Sequence, residues 1–262
     1  MEPVLEIKNL KTAIRTPDGK REIVKGINLE LEKGEIHGIV GESGSGKTFT
    51  AKSILRLHDE SEVEYEGGIL YEGVNLLELP EKEMEKYREK EISYVFQNPA
   101  TSFDSLYTIG AQIEETLRYV AGLGKKEAKN RTIELLESVG VTPASEKVKQ
   151  YPHEFSGGML QRSMIALAIA CNPKILIADE ATTALDVTMQ AKVLHLFKEL
   201  RDERELSVLC ITHDMGVVAE ICDTVTVMYD GEVVESGNVR DIFDRPKHPY
   251  TKKLLESFRE LS

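Results

Sequence analysis

Residues 41–48 read Gly41-Glu42-Ser43-Gly44-Ser45-Gly46-Lys47-Thr48. The string fits G-x-x-x-x-G-K-[ST], and its spacing has a physical reason. Glycines let the backbone curl so that several N–H groups point at one phosphate chain. The N-terminus of a following helix adds positive potential. Lys47 is expected to reach the β and γ phosphates, and the Thr48 hydroxyl to ligate Mg²⁺. The flanks agree with this reading. Residues 35–40 form an apolar strand pattern before the loop, and 49–57 show helical spacing after it, with Ala51, Ile54, Leu55 and His58 toward one side.

Outward from the loop, residues 4–10 and 23–31 alternate as strands. Thr16-Pro17-Asp18-Gly19 and Lys33-Gly34 are turns. An antiparallel β region therefore precedes the loop. Residues 82–90 read as a charged helix and 92–96 as a short strand. From 108 to 148 the pattern is helical, with Ile109, Ile113, Leu117 and Val120 on one face and Ile133, Leu135, Leu136 and Val139 on another. Strand 174–178, helix 187–204 and strand 207–212 follow. Strands alternating with helices imply a mainly parallel sheet covered on both faces. Strands 224–229 and 232–235 flank Asp230-Gly231, a two-residue hairpin signal. The expected domains are a discontinuous α/β core over 1–97 and 172–242, a helical subdomain over 98–171, and a C-terminal extension over 243–262.

The 262 residues carry a formal net charge of -12, with a pI near 5.1. That acidity speaks against a nucleic-acid partner, which usually meets a basic stripe. Cys171, Cys210 and Cys222 are scattered and form no CxxC pair, as expected of buried thiols in a reducing compartment. No signal peptide is expected at the start, and the longest apolar run, 164–171, is far shorter than a bilayer span. Any service to a membrane would run through partners.

Residues 175–180, Ile-Leu-Ile-Ala-Asp-Glu, are an apolar strand ending in two acids. Such acids are costly unless they meet a cation or a reactive water, and ligands sit at the carboxyl edge of such sheets. Asp179 suits Mg²⁺, directly or through water. Glu180 can point elsewhere and polarise an attacking water. Gln97, at the end of strand 92–96, could sense the metal or water, or belong to a plain loop. His213 ends strand 207–212, where it is either structural or a hydrogen-bond donor to the γ-phosphate. Ser156-Gly157-Gly158-Met159 opens the helix that runs toward Cys171, a second anion-ready helix start. One nucleotide cannot easily use two cradles on one subunit. Two copies that each cover the other's nucleotide can.

In this order the pieces resemble the nucleotide-binding domain of the ABC ATPase family. The loop at 41–48 is similar to Walker A, 175–180 to Walker B with Glu180 as catalytic glutamate, and 156–162 to the signature motif. Ala184-Leu185-Asp186 resembles the D-loop, Gln97 the Q-loop glutamine and His213 the switch histidine. The resemblance implies an α/β, P-loop NTPase (RecA-like) core with an N-terminal antiparallel β region and an inserted α-helical subdomain. It implies ATP and Mg²⁺ as ligands, ATP hydrolysis, and Ser156, Gly157, Gly158, Met159 and Asp186 at the nucleotide. No aromatic lies between Ile14 and Ile23, where the family often stacks adenine, so Ile14 or Arg15 is expected there; an Arg can stack on a ring.

A narrower resemblance rests on Gly41–Lys47, Tyr151-Pro152-His153-Glu154, Ala178-Asp179-Glu180, residues 182–188, and Arg245-Pro246-Lys247-His248-Pro249-Tyr250-Thr251. These look like the oligopeptide, dipeptide and nickel importer ATPases. That implies transmembrane permease subunits as partners, pairing with itself or with a second ABC ATPase, an indirect link to an extracytoplasmic substrate-binding protein, and a seat on the cytoplasmic face of the membrane. Peptide, nickel and oligosaccharide remain open as cargo. The chain departs from the pattern at Phe155 (usually Leu), at Ala181 (usually Pro), and at Phe103-Asp104-Ser105, where Leu-Asn-Pro is common.

Overall fold

The computed structural model describes residues 3–59, 61–183 and 185–261. In chain order the elements are β1 (Leu5–Thr16), β2 (Gly19–Leu31), β3 (Ile36–Val40), α1 (Lys47–Ile54), β4 (Val63–Tyr71), β5 (Val74–Asn75), α2 (Glu81–Lys86), β6 (Ile92–Val95), α3 (Ile109–Tyr119), α4 (Lys125–Ser138), α5 (Ala144–Lys147), α6 (Gly157–Ala168), β7 (Ile175–Asp179), α7 (Val187–Arg204), β8 (Ser207–Thr212), α8 (Met215–Ile221), β9 (Thr224–Tyr229), β10 (Glu232–Asn238), α9 (Val239–Asp244) and α10 (Pro249–Leu261). The chain divides into two compact units, Met1–Glu85 with Leu200–Ser262, and Lys86–Glu199. The sequence-based division at 97/98 and 171/172 groups strands with strands. Packing groups them differently, because β6 and β7 pair with each other and β6 also packs on α6.

The first unit holds an antiparallel sheet in the order β2-β1-β4-β5. The strands expected at 4–10 and 23–31 pair at the open end of a longer hairpin, which closes at Thr16 and Gly19. β4 was not foreseen: acids and Gly67-Gly68 interrupt its apolar alternation, and pairing with β1 supplies the order that the pattern lacks. The same unit holds β3 between β8 and β9, parallel to both. All five residues of β3 and all six of β8 are buried, as a parallel strand covered on two faces requires. The β9–β10 hairpin turns at Asp230 and Gly231, both at positive φ (47° and 81°), the mirror-image turn that suits a two-residue loop.

The helices α8, α9 and α10 are additions to the sequence reading. The first two, at seven and six residues, are too short to display a helical period. Met215 and Val218 of α8, Ile242 of α9, and Tyr250 and Leu255 of α10 form one core with Val40, Val225 and Val227.

In the second unit, α3 buries Ile109, Ile113 and Leu117, as their spacing predicts. α4 buries Leu135 and Leu136, while Ile133, expected beside them, is only half-buried. The charged helix expected over 82–90 is shorter. α2 stops at Lys86, and Tyr87–Glu91 forms one wider, π-type turn. Among the described residues, no helix is long and apolar enough to cross a membrane.

A buried polar chain crosses the start of β3. The His37 ring shares Nδ1 with Thr224 Oγ1 at 2.7 Å and Nε2 with Thr226 Oγ1 at 2.9 Å, and Thr224 donates its hydroxyl to Glu35. Burial alone would raise the Glu35 carboxyl. The nearby His37 ring and hydrogen bonds from the Thr224 hydroxyl and the Glu32 N–H outweigh it and hold the carboxyl below its ordinary value. A depressed acid adds stability above its unfolded pKa and loses it as pH falls through the folded one. Unfolding midpoints in urea should therefore drop between about pH 7 and about pH 3 more steeply for the native chain than for Glu35→Gln. Equal slopes would show that Glu35 carries no such linkage.

Candidate active site

The first unit carries residues 41–48, His213, Ile14 and Arg15. Strand pairing determines how the first two meet. Val40 lies opposite Thr212 of β8 and Val227 of β9. Gly41 and His213 are the next residues on adjacent parallel strands, so they leave the sheet at one carboxyl edge. Neighbouring strands there lie roughly 5 Å apart. His213 is exposed and Lys47 is buried, with 4% of its surface accessible.

The loop is tight. A Cβ on Gly41 would stand 2.2 Å from the Met228 carbonyl oxygen, a distance that no side chain can take. Lys47 Nζ donates to the carbonyls of Gly41 (2.7 Å) and Glu42 (2.9 Å) and approaches Ser45 Oγ at 3.4 Å. The Gly231 N–H donates to the Ser45 carbonyl at 3.0 Å, so the tip of the β9–β10 hairpin braces the loop. α1 begins at Lys47 itself, behind Gly46. A buried ammonium inside a ring of backbone, at a helix start, matches the charge and shape of a phosphate chain.

Arg15 donates from Nε to Glu64 (2.8 Å) and from Nη1 to the Ser61 carbonyl (3.0 Å). Ile14 is half-buried between Arg21 and Val63.

The second unit carries Gln97, Asp179, Glu180, Ser156–Met159 and Asp186. Here too the register does the work. Val95 of β6 lies opposite Ala178 of β7, so Gln97, two residues on, meets Glu180, two residues on. Gln97 Nε2 donates to Glu180 Oε2 at 2.6 Å, and Thr183 Oγ1 lies 3.4 Å from the same oxygen. Glu180 takes φ 47°, a left-handed conformation that costs a non-glycine residue about 1–2 kcal/mol. Such strain collects at functional sites. Buried Asp179 accepts the Tyr94 hydroxyl at 2.7 Å. Burial, and then the Asp179 charge, push the Tyr94 phenol far above its usual value, so it remains a donor.

Ser156 caps α6, its Oγ facing the Met159 N–H at 3.4 Å. Arg162 donates to the Gly140 carbonyl at 2.7 Å and ties α6 to the end of α4. Asp186 accepts the Met189 N–H at 3.0 Å and so starts α7. Its neighbour Ala184 lies outside the described residues. Tyr94 escaped the sequence reading, whereas Arg162 and Thr183 lay inside the stretches 156–162 and 182–188 with no role of their own. Tyr94 sits two residues before Phe96 in a strand already recognised, and only pairing with β7 reveals what it faces.

The ABC transporter profile matches residues 24–183, and the oligopeptide/dipeptide transporter C-terminal region matches 234–262. The oligopeptide transport ATP-binding protein OppD of Bacillus subtilis (strain 168) is 49% identical over 98% of this chain and 72% of its own. The dipeptide transport ATP-binding protein DppD of Lactococcus lactis subsp. cremoris (strain MG1363) is 48% identical over 98% and 74%. A dimeric, post-hydrolysis ATP-binding cassette bound to ADP and Pi superposes with a TM-score of 0.80 at 29% identity, covering 90% of this chain and 99% of that one. The chain belongs to the ABC transporter ATP-binding family. It is an ATPase with a P-loop NTPase fold, working as the ATP-binding subunit of a transporter.

Replacing Gly41 by Ala drives a methyl into the Met228 carbonyl. Equilibrium titration with ATP should show affinity weakened by at least about tenfold, a loss near 1.4 kcal/mol. Unchanged affinity would mean that the close approach does not shape the loop.

Proposed function

We infer that this chain drives peptide import from the cytoplasmic face of a membrane, as one member of a pair of ATPase subunits seated on permease subunits. The pair is either two copies or one copy with a second ABC ATPase. An extracytoplasmic binding protein delivers the cargo to the permease. Support for peptide as cargo comes from the relatives' names and from the C-terminal region shared with oligopeptide and dipeptide transporters. Residues 98–171 serve as the helical subdomain, and the block around Gln97 to Leu117 contacts the permease.

In this reading the backbone of Gly41, Glu42, Ser43, Gly44, Ser45 and Gly46 cradles the ATP phosphates. Lys47 exchanges its loop carbonyls for phosphate oxygens. Ile14 and Arg15 lie at the base. Ser156, Gly157, Gly158 and Met159 of one subunit close over the nucleotide of the other, with Asp186 beside them. Thr48, Asp179 and Gln97 would hold Mg²⁺. Among the described residues no cluster of three or more His, Cys, Asp or Glu is set to hold a metal. Mg²⁺ in general keeps several waters and takes ligands from substrate phosphates. When bound, Mg²⁺ neutralises charge on the phosphate oxygens.

The observation that carries the hydrolytic assignment is the Gln97–Glu180 hydrogen bond at 2.6 Å. It orients a carboxylate held in a strained conformation, and Glu180 acts as the base that takes a proton from the attacking water. His213 donates to the γ-phosphate. Phosphoryl transfer of this kind depends mainly on positioning and electrostatics.

The test is the Glu180→Gln chain on a sizing column with and without Mg²⁺-ATP. Turnover should fall by at least about a hundredfold, the scale of a lost general base. The variant should elute with ATP as a dimer that carries two nucleotides, or remain an ATP-bound monomer if a different ATPase completes the pair. Wild-type turnover would remove Glu180 from the mechanism.

A further inference from the structure

His248-Pro249-Tyr250 plays no part in the chemistry above. Glu235 of β10 accepts the Lys247 N–H (2.8 Å) and the His248 N–H (3.0 Å), which pins the chain where α10 starts. His248 Nδ1 accepts the Tyr250 N–H at 3.2 Å and so caps the helix. Pro249 takes the first helical position, where its missing N–H costs nothing. Those two residues aim the third. Tyr250 is 8% exposed, with its ring centroid 4.4 Å from that of Tyr229. Its phenolic oxygen accepts the Glu42 N–H at 2.8 Å. Burial raises the phenol above its usual value, so the hydroxyl stays protonated.

The Glu42 N–H belongs to the same peptide unit as the Gly41 carbonyl, and that carbonyl accepts Lys47 Nζ at 2.7 Å. One peptide plane is therefore held at both ends, by Lys47 on its oxygen and by Tyr250 on its nitrogen. Linked hydrogen bonds of this kind polarise and reinforce one another. Lys253, one turn along α10, also reaches toward Glu42, with Nζ 4.0 Å from Oε1.

We propose that Tyr250 is a positioning residue for ATP: its hydroxyl sets the Gly41–Glu42 peptide plane, and thereby the phosphate loop, in the conformation that receives the nucleotide. The C-terminal extension is thus a prop for the loop. This rests on the reading of 41–48 as the phosphate cradle.

The experiment measures ATP affinity in EDTA, steady-state ATPase rates with Mg²⁺, and unfolding midpoints for the full chain. The variants are Tyr250→Phe, Tyr229→Phe, His248→Ala and Lys47→Ala. Tyr250→Phe keeps the ring packing and loses one hydrogen bond. Its dissociation constant and KM should rise about 3- to 10-fold, with kcat changed little, the scale of one such bond. Tyr229→Phe removes a hydroxyl from the same ring pair and should bind as the native chain does. His248→Ala uncaps α10 and should weaken ATP in the same direction by a smaller factor, which serves as the test if Tyr250→Phe does not fold. Native affinity in both Tyr250→Phe and His248→Ala, while Lys47→Ala loses ATP, overturns the prop and leaves the cradle standing. Native affinity in Lys47→Ala overturns the cradle itself, and the prop with it.

Discussion

The first unit depends on how closely the backbone of 41–48 approaches β9. β3 is hydrogen-bonded on both sides, so Val40 is held between Thr212 and Val227 and the chain must leave the sheet at one point. Only a residue without a Cβ can pass the Met228 carbonyl there. The loop then closes over the Lys47 ammonium, and the surroundings are built against it. Gly231 holds the Ser45 carbonyl, the Lys25 N–H holds the Gly231 carbonyl at 2.8 Å, and Tyr250 holds the Glu42 N–H. A buried cation tolerates few arrangements of its acceptors, and here backbone carbonyls supply two of them.

The second unit repeats this logic with carboxylates. A strand buried along its whole length delivers two adjacent acids to its end. Alternation sends them different ways, Asp179 inward to the Tyr94 hydroxyl and Glu180 outward to Gln97 and Thr183. The left-handed conformation at Glu180 is a local cost of order 1 kcal/mol, offset by those contacts.

The C-terminal extension shows how a motif can be structural and functional at once. His248 and Pro249 serve the helix and Tyr250 serves the loop. The same short stretch therefore links the packing of α10, through Leu255 and Tyr250, to the strands that carry the phosphate loop.

The sequence by itself determined the chemistry of the chain. Glycine spacing, the lysine behind it, an apolar strand ending in Asp179-Glu180 and a capped helix start at Ser156 are local patterns, because backbone conformation and helix starts depend on near neighbours. The bounds of α7, β8 and β9 were legible too, β8 and β9 as short apolar runs that the fold buries. Tertiary structure alone decided the pairings. β4 becomes a strand only against β1. The Gln97–Glu180 contact needs the Val95–Ala178 register, which no periodicity encodes. Tyr250 meets Glu42 across 208 positions. A side chain's partner across such a distance is chosen by packing, and packing is a property of the whole fold rather than of any window along the chain.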